Sequence, residues 1–465
     1  MHPLTLEPLD QINGFSVRPG LYEINGAMVV PGGVNFTIHS HGATSCELLL
    51  FHRKETVPYA TIPFPSHYRI GHVYSMIIFG LDIEEFEYAY CLDGPYDEGK
   101  GLLFNKKKPL LDIYAKAVTG QSVWGTKNPE GSFYKARVVQ DRFDWGKDRN
   151  PLLPMEDLVI YELHVRGFTR HASSSVSHPG TFSGIMEKIP YLKELGVNAV
   201  ELMPIFEFDE MKDSREVDGK TLIDYWGYNP VSFFAPNTSY AAEIEYNREG
   251  TELKELIRTL NQNGIECFLD VVFNHTAEGN KQGPCFSFKG FDNNIYYMLT
   301  PNGYYYNYSG CGNTLNCNHP IVRQLILDCL RYWITAYHVD GFRFDLASIL
   351  GRNEDGMPME QPPLLQSLAC DPILGDVKLI AEAWDAGGLY QVGSFPQQGV
   401  LETVGNETGD ILLYLHRLLA QLPGQFHDSI GCFIGGLFTL GDLHKLYNVG
   451  RVEPVHTGKT LRPID

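Results

Sequence analysis

The sequence lacks three features that would each indicate a particular class of protein. No apolar run approaches about 18 residues, so no segment is expected to span a membrane. The nine cysteines include no Cys-x-x-Cys motif, and the closest pair, Cys311 and Cys317, is interpreted as two thiols rather than a metal site or a disulfide framework. The first residues, Met1 to Glu7, have neither the basic nor the apolar segment of a secretory signal. Together these absences predict a cytoplasmic or equivalent reducing location.

Positive charge is also scarce. The chain has 37 Lys and Arg against 56 Asp and Glu, which gives a formal net charge of −19 at pH 7. This balance argues against nucleic acid or an anionic membrane as the main partner, and it favours a neutral substrate. No organic cofactor is implied, and no dense Asp/Asn loop indicates a metal. Aromatic residues are plentiful, with 26 Tyr, 26 Phe and 5 Trp, and flat rings suit a sugar-binding cleft.

The front part of the chain reads as an all-β domain. Between about Gly20 and Thr119, short β-like runs are separated by turn residues such as Pro31-Gly32-Gly33. This pattern predicts a β-sandwich of about 100 residues, which with its connector occupies residues 1–150. Its role is either structural or carbohydrate binding. The β-like runs are Phe36–His39, Cys46–Phe51, Val73–Ile78 and Phe86–Tyr90.

From about residue 151, strand-like runs alternate with helix-like ones. Regular alternation of this kind is typical of parallel βα units. We therefore predict an α/β architecture in which a (β/α)8-type barrel follows the sandwich, with strands 1–5 recognisable within residues 151–396. The predicted strands are Leu158–Leu163, Ala199–Met203, Cys267–Val272, one beginning at Gly341, and Val377–Ala381. The predicted helices are Gly184–Leu195, Glu252–Asn263 and Pro320–Tyr337.

Three acids lie at the ends of three of these strands. Asp270, Asp345 and Glu382 are separated by 75 and 37 residues, which leaves room for a crossover helix between successive strands. The strand ends of a parallel barrel meet at one face, where catalytic groups collect. Arg343 is two residues before Asp345 and thus on the same side of its strand, so it is expected to lower the pKa of Asp345 and keep it ionised. The alternative reading is a structural ion pair.

Clustered acids with an arginine and a histidine suit glycoside hydrolysis or transfer. That reaction needs one carboxylate to attack the anomeric carbon and one carboxylic acid to protonate the leaving oxygen. Asp345 suits the nucleophile. Glu382 stands between two alanines and next to a tryptophan, a setting that raises its pKa and suits the acid/base. His275 is a candidate to hydrogen-bond a sugar hydroxyl, and Asp270 is expected to orient Arg343 or the substrate.

Three of these runs resemble signature regions of the α-amylase superfamily. They are Asp270–His275, Gly341–Asp345 and Ala381–Asp385. The resemblance implies that Asp345 is the nucleophile and Glu382 the acid/base. It also implies that Tyr228, within Tyr225–Pro230, stacks under the reacting sugar. The other substrate-binding residues that it implies are Arg343, Asp270, His275 and Asn274.

Further stretches resemble the isoamylase-type and bacterial glycogen debranching enzymes of that superfamily. They are Asp93–Tyr96, Leu111–Lys116, Tyr161–Thr169 and Trp384–Gly393. The resemblance covers roughly residues 10 to 396. It implies a glycogen-binding-type sandwich and retaining hydrolysis of α-1,6 branch points in glycogen or amylopectin. An α-1,4-acting member would use the same acids, and a catalytically inactive glucan-binding fragment is the second alternative.

The last part of the chain departs from the family pattern. Only 69 residues follow Pro396, too few for three further βα units of ~30 residues or more and another domain. The resemblance implies a third catalytic acid in a His-Asp motif, and His427-Asp428 is the only such pair in residues 397–465. We therefore predict an aberrant tail of unknown fold, produced by truncation or a frame shift after about residue 396.

Overall fold

The computed structural model describes residues 6–119, 123–243, 246, 248–396 and 401–403. These residues form a β-sandwich and a series of βα units around a parallel sheet. Both parts belong to one compact unit, Met1–Thr403. Of the predicted tail, only residues 401–403 are among the described residues.

Two antiparallel sheets form the predicted sandwich, and all four predicted β-like runs lie within its strands. The sheets share one core, in which the rings of Phe36 and Tyr88 meet edge to face at 5.2 Å. The first sheet contains Asp10–Ile12, Phe15–Pro19, Val73–Phe79, Gly33–His39 and Gly26–Val30 in spatial order, with Arg69–Ile70 beside Val73–Phe79. The second contains Ala117–Val118, Ala136–Arg137, Phe86–Asp93, Ser45–His52 and Ala60–Pro63.

A parallel sheet with its strands in chain order forms the barrel part. The five predicted strands are confirmed, and β2 and β3 are buried along their whole length, as parallel strands covered on both faces require. Sequence analysis missed a sixth strand, which pairs with the fifth inside the predicted tail. The strands are β1 Ile160–Leu163, β2 Ala199–Leu202, β3 Glu266–Val271, β4 Gly341–Phe344, β5 Lys378–Ala381 and β6 Leu401–Thr403.

Seven α-helices lie among the described residues after the sandwich. The predicted helix Pro320–Tyr337 has those bounds, because the His319 side chain caps its first turn and His338 ends it in the left-handed region. The prediction of a single helix over Gly184–Leu195 is wrong: it is two short helices, and Pro190 near the start of the second has no N–H for a continuous ladder. The helices are α1 Val165–Arg170, α2 Phe182–Met186, α3 Ile189–Glu194, α4 Glu249–Gln262, α5 Phe288–Tyr296, α6 Pro320–Tyr337 and α7 Pro363–Ala369.

Three small two-stranded sheets complete the described strands. They pair Tyr96–Asp97 with Leu102–Leu103, Phe206–Glu207 with Ser232–Pro236, and Arg215–Val217 with Lys220–Leu222. The eight cysteines in the described ranges are free thiols, in agreement with the interpretation of Cys311 and Cys317. Within those same ranges, no helix combines the length and the apolar character that crossing a bilayer demands.

Asp292 of α5 fastens the sandwich to the barrel part. Its Oδ2 accepts a hydrogen bond from the backbone N–H of His41 at 2.6 Å, and its Oδ1 accepts one from Gly42 at 3.0 Å. Next to them, the Ser40 hydroxyl donates to the carbonyl of Phe291 at 2.9 Å. One turn of the sandwich is therefore held by side-chain and backbone groups of α5.

We expect Asp292→Ala to lower the free energy of unfolding by about 1–3 kcal/mol, because two partly buried N–H groups lose their acceptor. Urea denaturation at neutral pH measures the change. Asp292→Asn keeps an oxygen acceptor and should lose less. Equal stability of the parent and the alanine variant would contradict this account of the junction.

Candidate active site

The three acids expected at the strand ends converge on one guanidinium group. Arg343 in β4 donates from Nη1 to Asp270 Oδ1 at 3.0 Å and to Asp345 Oδ1 at 3.1 Å, and its Nη2 lies 2.7 Å from Glu382 Oε1. Asp270 is within β3, Asp345 directly follows β4 and Glu382 directly follows β5. The barrel geometry thus brings together the four residues that the sequence placed on three separate strands.

Two further groups orient the carboxyls of Asp345 and Glu382. Asn274 Nδ2 donates to Asp345 Oδ2 at 2.7 Å and to the carbonyl of Asp345 at 2.9 Å. The backbone N–H of Leu346 donates to Glu382 Oε2 at 2.8 Å. Leu346 has φ +44°, in the left-handed region that a leucine rarely adopts. The chain therefore turns sharply after Asp345 and presents an amide to Glu382.

Arg343 lowers the pKa of Asp345 as predicted, but burial outweighs this effect and the net pKa is raised. Burial raises the pKa of Asp345 to about 6, although Arg343 and Asn274 oppose the rise and Asp270 adds to it. One guanidinium shared among three carboxyls cannot offset the loss of water around each of them. Asp345 is still mostly ionised at pH 7, as expected. Because its pKa is raised, the ionised form predominates only above about pH 6.

Glu382 has the raised pKa that its apolar neighbours predict. Burial is the largest cause; the Arg343 guanidinium opposes it, and the negative charge of Asp345 adds to it. The raised pKa favours a protonated Glu382 beside an ionised Asp345.

Asp270 is a buried orienting group, as interpreted from the sequence. Besides Arg343, it accepts a hydrogen bond from the hydroxyl of Tyr228 at 2.6 Å. Burial raises the pKa of Asp270 to about 6, with Arg343 and Tyr228 opposing the rise. Since both of its oxygens are occupied, Asp270 fixes the position of the guanidinium and of the tyrosine ring.

His275 does not have the free ring nitrogen expected for a sugar contact. It is buried, its Nε2 lies 2.9 Å from the carbonyl of Tyr228, and its Nδ1 contacts Asn274 Oδ1. In this structure it therefore positions Asn274 and Tyr228. His164 holds the same segment from β1, because its Nε2–H donates to the carbonyl of Tyr225 at 2.6 Å.

Sequence analysis missed two acids beneath this group, Glu162 and Glu201. They face each other from β1 and β2 in register, and with Asp270 each offers an oxygen within 4.8 Å of the others. Such spacing would suit a metal ion, but the oxygens of Asp270 are already bound by Arg343 and Tyr228, so we assign none. The only signal in the sequence was a single glutamate within each apolar strand.

Glu201 is buried among these acids, and burial together with the charge of Asp270 raises its pKa to about 8. Between the unfolded value, about 4.5, and pH 8 the folded chain keeps a proton that the unfolded chain has released, so stability falls as pH rises. Gln stays neutral. We expect Glu201→Gln to melt higher than the parent at pH 8, with the difference shrinking towards pH 5.

Thermal unfolding at several pH values measures this effect. Glu194→Gln, on the exposed side of α3, controls for the loss of one carboxylate. A Glu201→Gln variant whose melting temperature stays below that of the parent at pH 8 would mean that Glu201 is needed as an anion.

Exposed aromatic rings lie on the segments that contain Glu382 and Tyr228. Trp384 and Tyr390 face each other across a backbone bridge in the loop after Glu382, and Trp226 lies 6.5 Å from the Tyr228 ring. The loop is held by Asp385, which accepts from the Arg352 guanidinium at 2.7 Å. The candidate third acid, Asp428 with His427, lies outside the described residues.

Two protein families match separate parts of the chain. Residues 141–302 match the family described as alpha amylase, catalytic domain. Residues 24–115 match carbohydrate-binding module 48, the isoamylase N-terminal domain. Their order along the chain is the order of the sandwich and the parallel sheet.

Curated proteins extend this similarity over most of the chain. It is 43% identical to Isoamylase 1, chloroplastic, of Arabidopsis thaliana, over 90% of this chain and 57% of that protein. It is 38% identical to the glycogen debranching enzyme of Salmonella paratyphi B, over 80% of this chain and 57% of that protein. A similarity over 90% includes residues beyond 396. The chain spans about half the length of the curated relatives that it matches.

Solved structures of pullulanases have the same architecture. The pullulanase from Bacillus acidopullulyticus superposes with a TM-score of 0.62 and 28% identity, over 83% of this chain and 44% of that one. The type I pullulanase of Bacillus subtilis, complexed with maltose, gives a TM-score of 0.63 and 28% identity, over 83% and 51%.

Proposed function

Because the chain belongs to the alpha-amylase family and has isoamylases and glycogen debranching enzymes among its relatives, we propose that it hydrolyses α-1,6 branch points of glycogen-type or amylopectin-type glucans. The observation that carries the proposal is the placement of Asp345 and Glu382 on one guanidinium at the ends of neighbouring strands. Ionised and protonated carboxyls side by side are what glycoside hydrolysis needs.

The contact of both carboxyls with one guanidinium favours retention at the anomeric carbon. Asp345 lies 3.1 Å from Nη1 of Arg343 and Glu382 lies 2.7 Å from Nη2, whereas inverting enzymes keep their carboxyls roughly 6.5–9.5 Å apart to admit a water. In the first step Asp345 attacks the anomeric carbon while Glu382 gives its proton to the leaving oxygen. Glu382, now ionised, then takes a proton from water as that water displaces Asp345 from the sugar.

The surrounding residues suit a neutral sugar chain. Asp270 holds the Tyr228 hydroxyl, which fixes the ring that we propose to lie under the reacting sugar. Arg343 and Asn274 keep Asp345 oriented, and His275 acts through Asn274 and Tyr228. We assign the third acid of the family to Asp428 with His427 as a candidate, and we propose glucan binding as the role of the sandwich.

We also propose a cytoplasmic location for this chain, since a reducing compartment would keep its eight described cysteines as thiols. Several relatives carry chloroplastic names, so a plastid is the contrasting result. Immunofluorescence with antibody against the intact chain distinguishes the two.

The test of the function compares branched and linear substrates. Purified chain is incubated with amylopectin and with amylose, and new reducing ends and chain lengths are measured. We expect short linear chains from amylopectin and no release from amylose. Cleavage of both would indicate an α-1,4-acting enzyme. Binding to both without cleavage would indicate a glucan-binding protein.

A further inference from the structure

A loop that follows the proposed acid/base carries two exposed aromatic rings. We call residues 384–391 the platform loop. It begins two residues after Glu382, and the N–H of its last residue donates to the carbonyl of Ala383 at 2.7 Å. Trp384 and Tyr390 form an antiparallel bridge across the loop, so their side chains project from the same side. Trp384 is 41% exposed and Tyr390 is 72% exposed, which leaves both rings open to a ligand.

Asp385 shapes the platform loop from within. Its side chain is buried, and its Oδ1 accepts hydrogen bonds from the N–H groups of Gly387 at 2.9 Å and Leu389 at 3.2 Å. The N–H of Asp385 also donates to the carbonyl of Leu389 at 2.9 Å. The carboxylate therefore fixes the turn that places Trp384 opposite Tyr390.

Arg352 holds Asp385 from outside the loop. Its Nε and Nη2 both lie 2.7 Å from Asp385 Oδ2, and its Nη1 donates to the carbonyl of Gly356. The guanidinium carbon lies 4.0 Å from the centre of the Tyr308 ring, and the carbonyl of Tyr308 accepts from the N–H of Ala386 at 2.9 Å. Because Arg352 is buried and each of its guanidinium nitrogens already has a partner, it can act on a substrate only through the loop.

The packing around Tyr308 leaves little room for another conformation of the loop. A Cβ on Gly387 would lie 2.6 Å from Cδ1 of the Tyr308 ring, closer than real Cβ atoms approach. A buried ion pair adds little net stability, because both ions lose water when the chain folds. The contacts of Arg352 and Asp385 are therefore the better guide to their role, and they converge on this one loop.

We propose that Arg352 is a positioning residue, which holds the platform loop so that Tyr390, opposite Trp384, receives a glucosyl unit of the substrate beside the bond that is cut. The substrate class rests on the proposed function. An exposed aromatic face suits a sugar ring, and a face that is already fixed loses little entropy on binding. Arg352 should thus affect the binding of substrate more than the rate of bond cleavage.

Kinetics on amylopectin test this proposal, together with calorimetry of maltohexaose binding to the same variants in the Asp345→Asn background. Tyr390→Ala should raise KM and weaken maltohexaose binding at least about fivefold, while kcat stays within about twofold. Arg352→Met should have the same effect, because the loop loses its support. Arg352→Lys keeps a charge beside Asp385 without the planar fork, so its effect should be smaller.

The double variant Arg352→Met/Tyr390→Ala distinguishes positioning from a merely structural role. If Arg352 acts through Tyr390, the double variant should bind maltohexaose no more than about twofold more weakly than either single variant. Independent roles would multiply to roughly 25-fold or more, and that result would contradict the proposal.

Two control variants match these changes. Arg331→Met removes a guanidinium that also contacts a single carboxylate oxygen, Asp371 Oδ2, through its Nε and Nη2. Tyr191→Ala removes a 46% exposed tyrosine from α3. Both should leave KM and maltohexaose affinity unchanged.

Unchanged KM and maltohexaose affinity in Tyr390→Ala would overturn the proposal, even if the parent chain cleaves amylopectin and the proposed function stands. If Arg352→Met fails to fold, Arg352→Lys takes its place, and parental binding by that variant would equally overturn the role of Arg352. Weakened, non-additive maltohexaose binding in the variants, with no cleavage of amylopectin by the parent, would sustain that role and contradict the debranching function.

Discussion

Asp345→Asn should lower the release of reducing ends from amylopectin by at least about 1,000-fold. The amide has nearly the shape of the carboxylate but cannot attack the anomeric carbon, so the glycosyl-enzyme bond does not form. Its oxygen can still accept from Arg343 or from Asn274, which lie 3.1 and 2.7 Å from the present carboxylate oxygens. Folding and glucan binding should therefore persist while turnover is lost.

A matched control is available elsewhere in the chain. Asp371 is also a buried acid bound to an arginine, Arg331, at 2.8 Å, but it lies away from the acids on Arg343. Asp371→Asn should retain activity. If Asp345→Asn kept more than about a tenth of the parental rate, the nucleophile would have to be another residue. If parent and variant were equally inactive but bound glucan, the chain would act in binding alone.

Arg343→Met should lower the free energy of unfolding at pH 7 by about 3–5 kcal/mol. The substitution leaves Asp270, Asp345 and Glu382 without the cation that all three contact, in a site where the guanidinium is almost wholly buried. The carboxyls can regain part of this loss by taking up protons. The deficit should therefore shrink as pH falls towards 5, which guanidinium chloride unfolding at both pH values measures.

Two other arginine variants provide comparisons for the loss of unfolding free energy in Arg343→Met. Arg331→Met removes a cation that is about one third exposed and contacts Asp328 and Asp371, so its cost should be smaller. Arg343→Lys keeps the charge but cannot reach three carboxyls with the same planar fork, so it should fall between Arg343→Met and the parent. A deficit in Arg343→Met that does not change with pH would indicate lost packing instead of unpaired acids.

The sequence predicted best where one local pattern determines one element. Helix α6 was predicted with its observed bounds because a proline after a capping residue begins it and a long apolar periodicity fills it. The helix predicted over Gly184–Leu195 has the same periodicity, but Pro190 interrupts it. Strand β6 is only three residues long, and its sequence has no pattern that predicts a strand. It is defined by its pairing with β5, which the sequence does not reveal.

The sequence predicted which acids lie together better than it predicted their pKa values. Asp270, Asp345 and Glu382 were placed together because parallel strands end at one face. The direction of the Asp345 pKa depends on how deeply the fold buries it, which two neighbouring residues do not encode. Glu162 and Glu201 were missed because a polar residue in an apolar strand usually faces solvent, whereas here both point at Asp270.

The pair of histidines behind Tyr228 has a consequence for the entropy of substrate binding. His164, next to β1, holds the carbonyl of Tyr225, and His275, beyond β3, holds that of Tyr228, so both ends of this four-residue segment are tied to the scaffold. The segment loses its conformational entropy when the chain folds, before any substrate binds. Under the function that we propose, a sugar meets a Tyr228 ring that is already in place, and little of its binding energy is spent on ordering the protein.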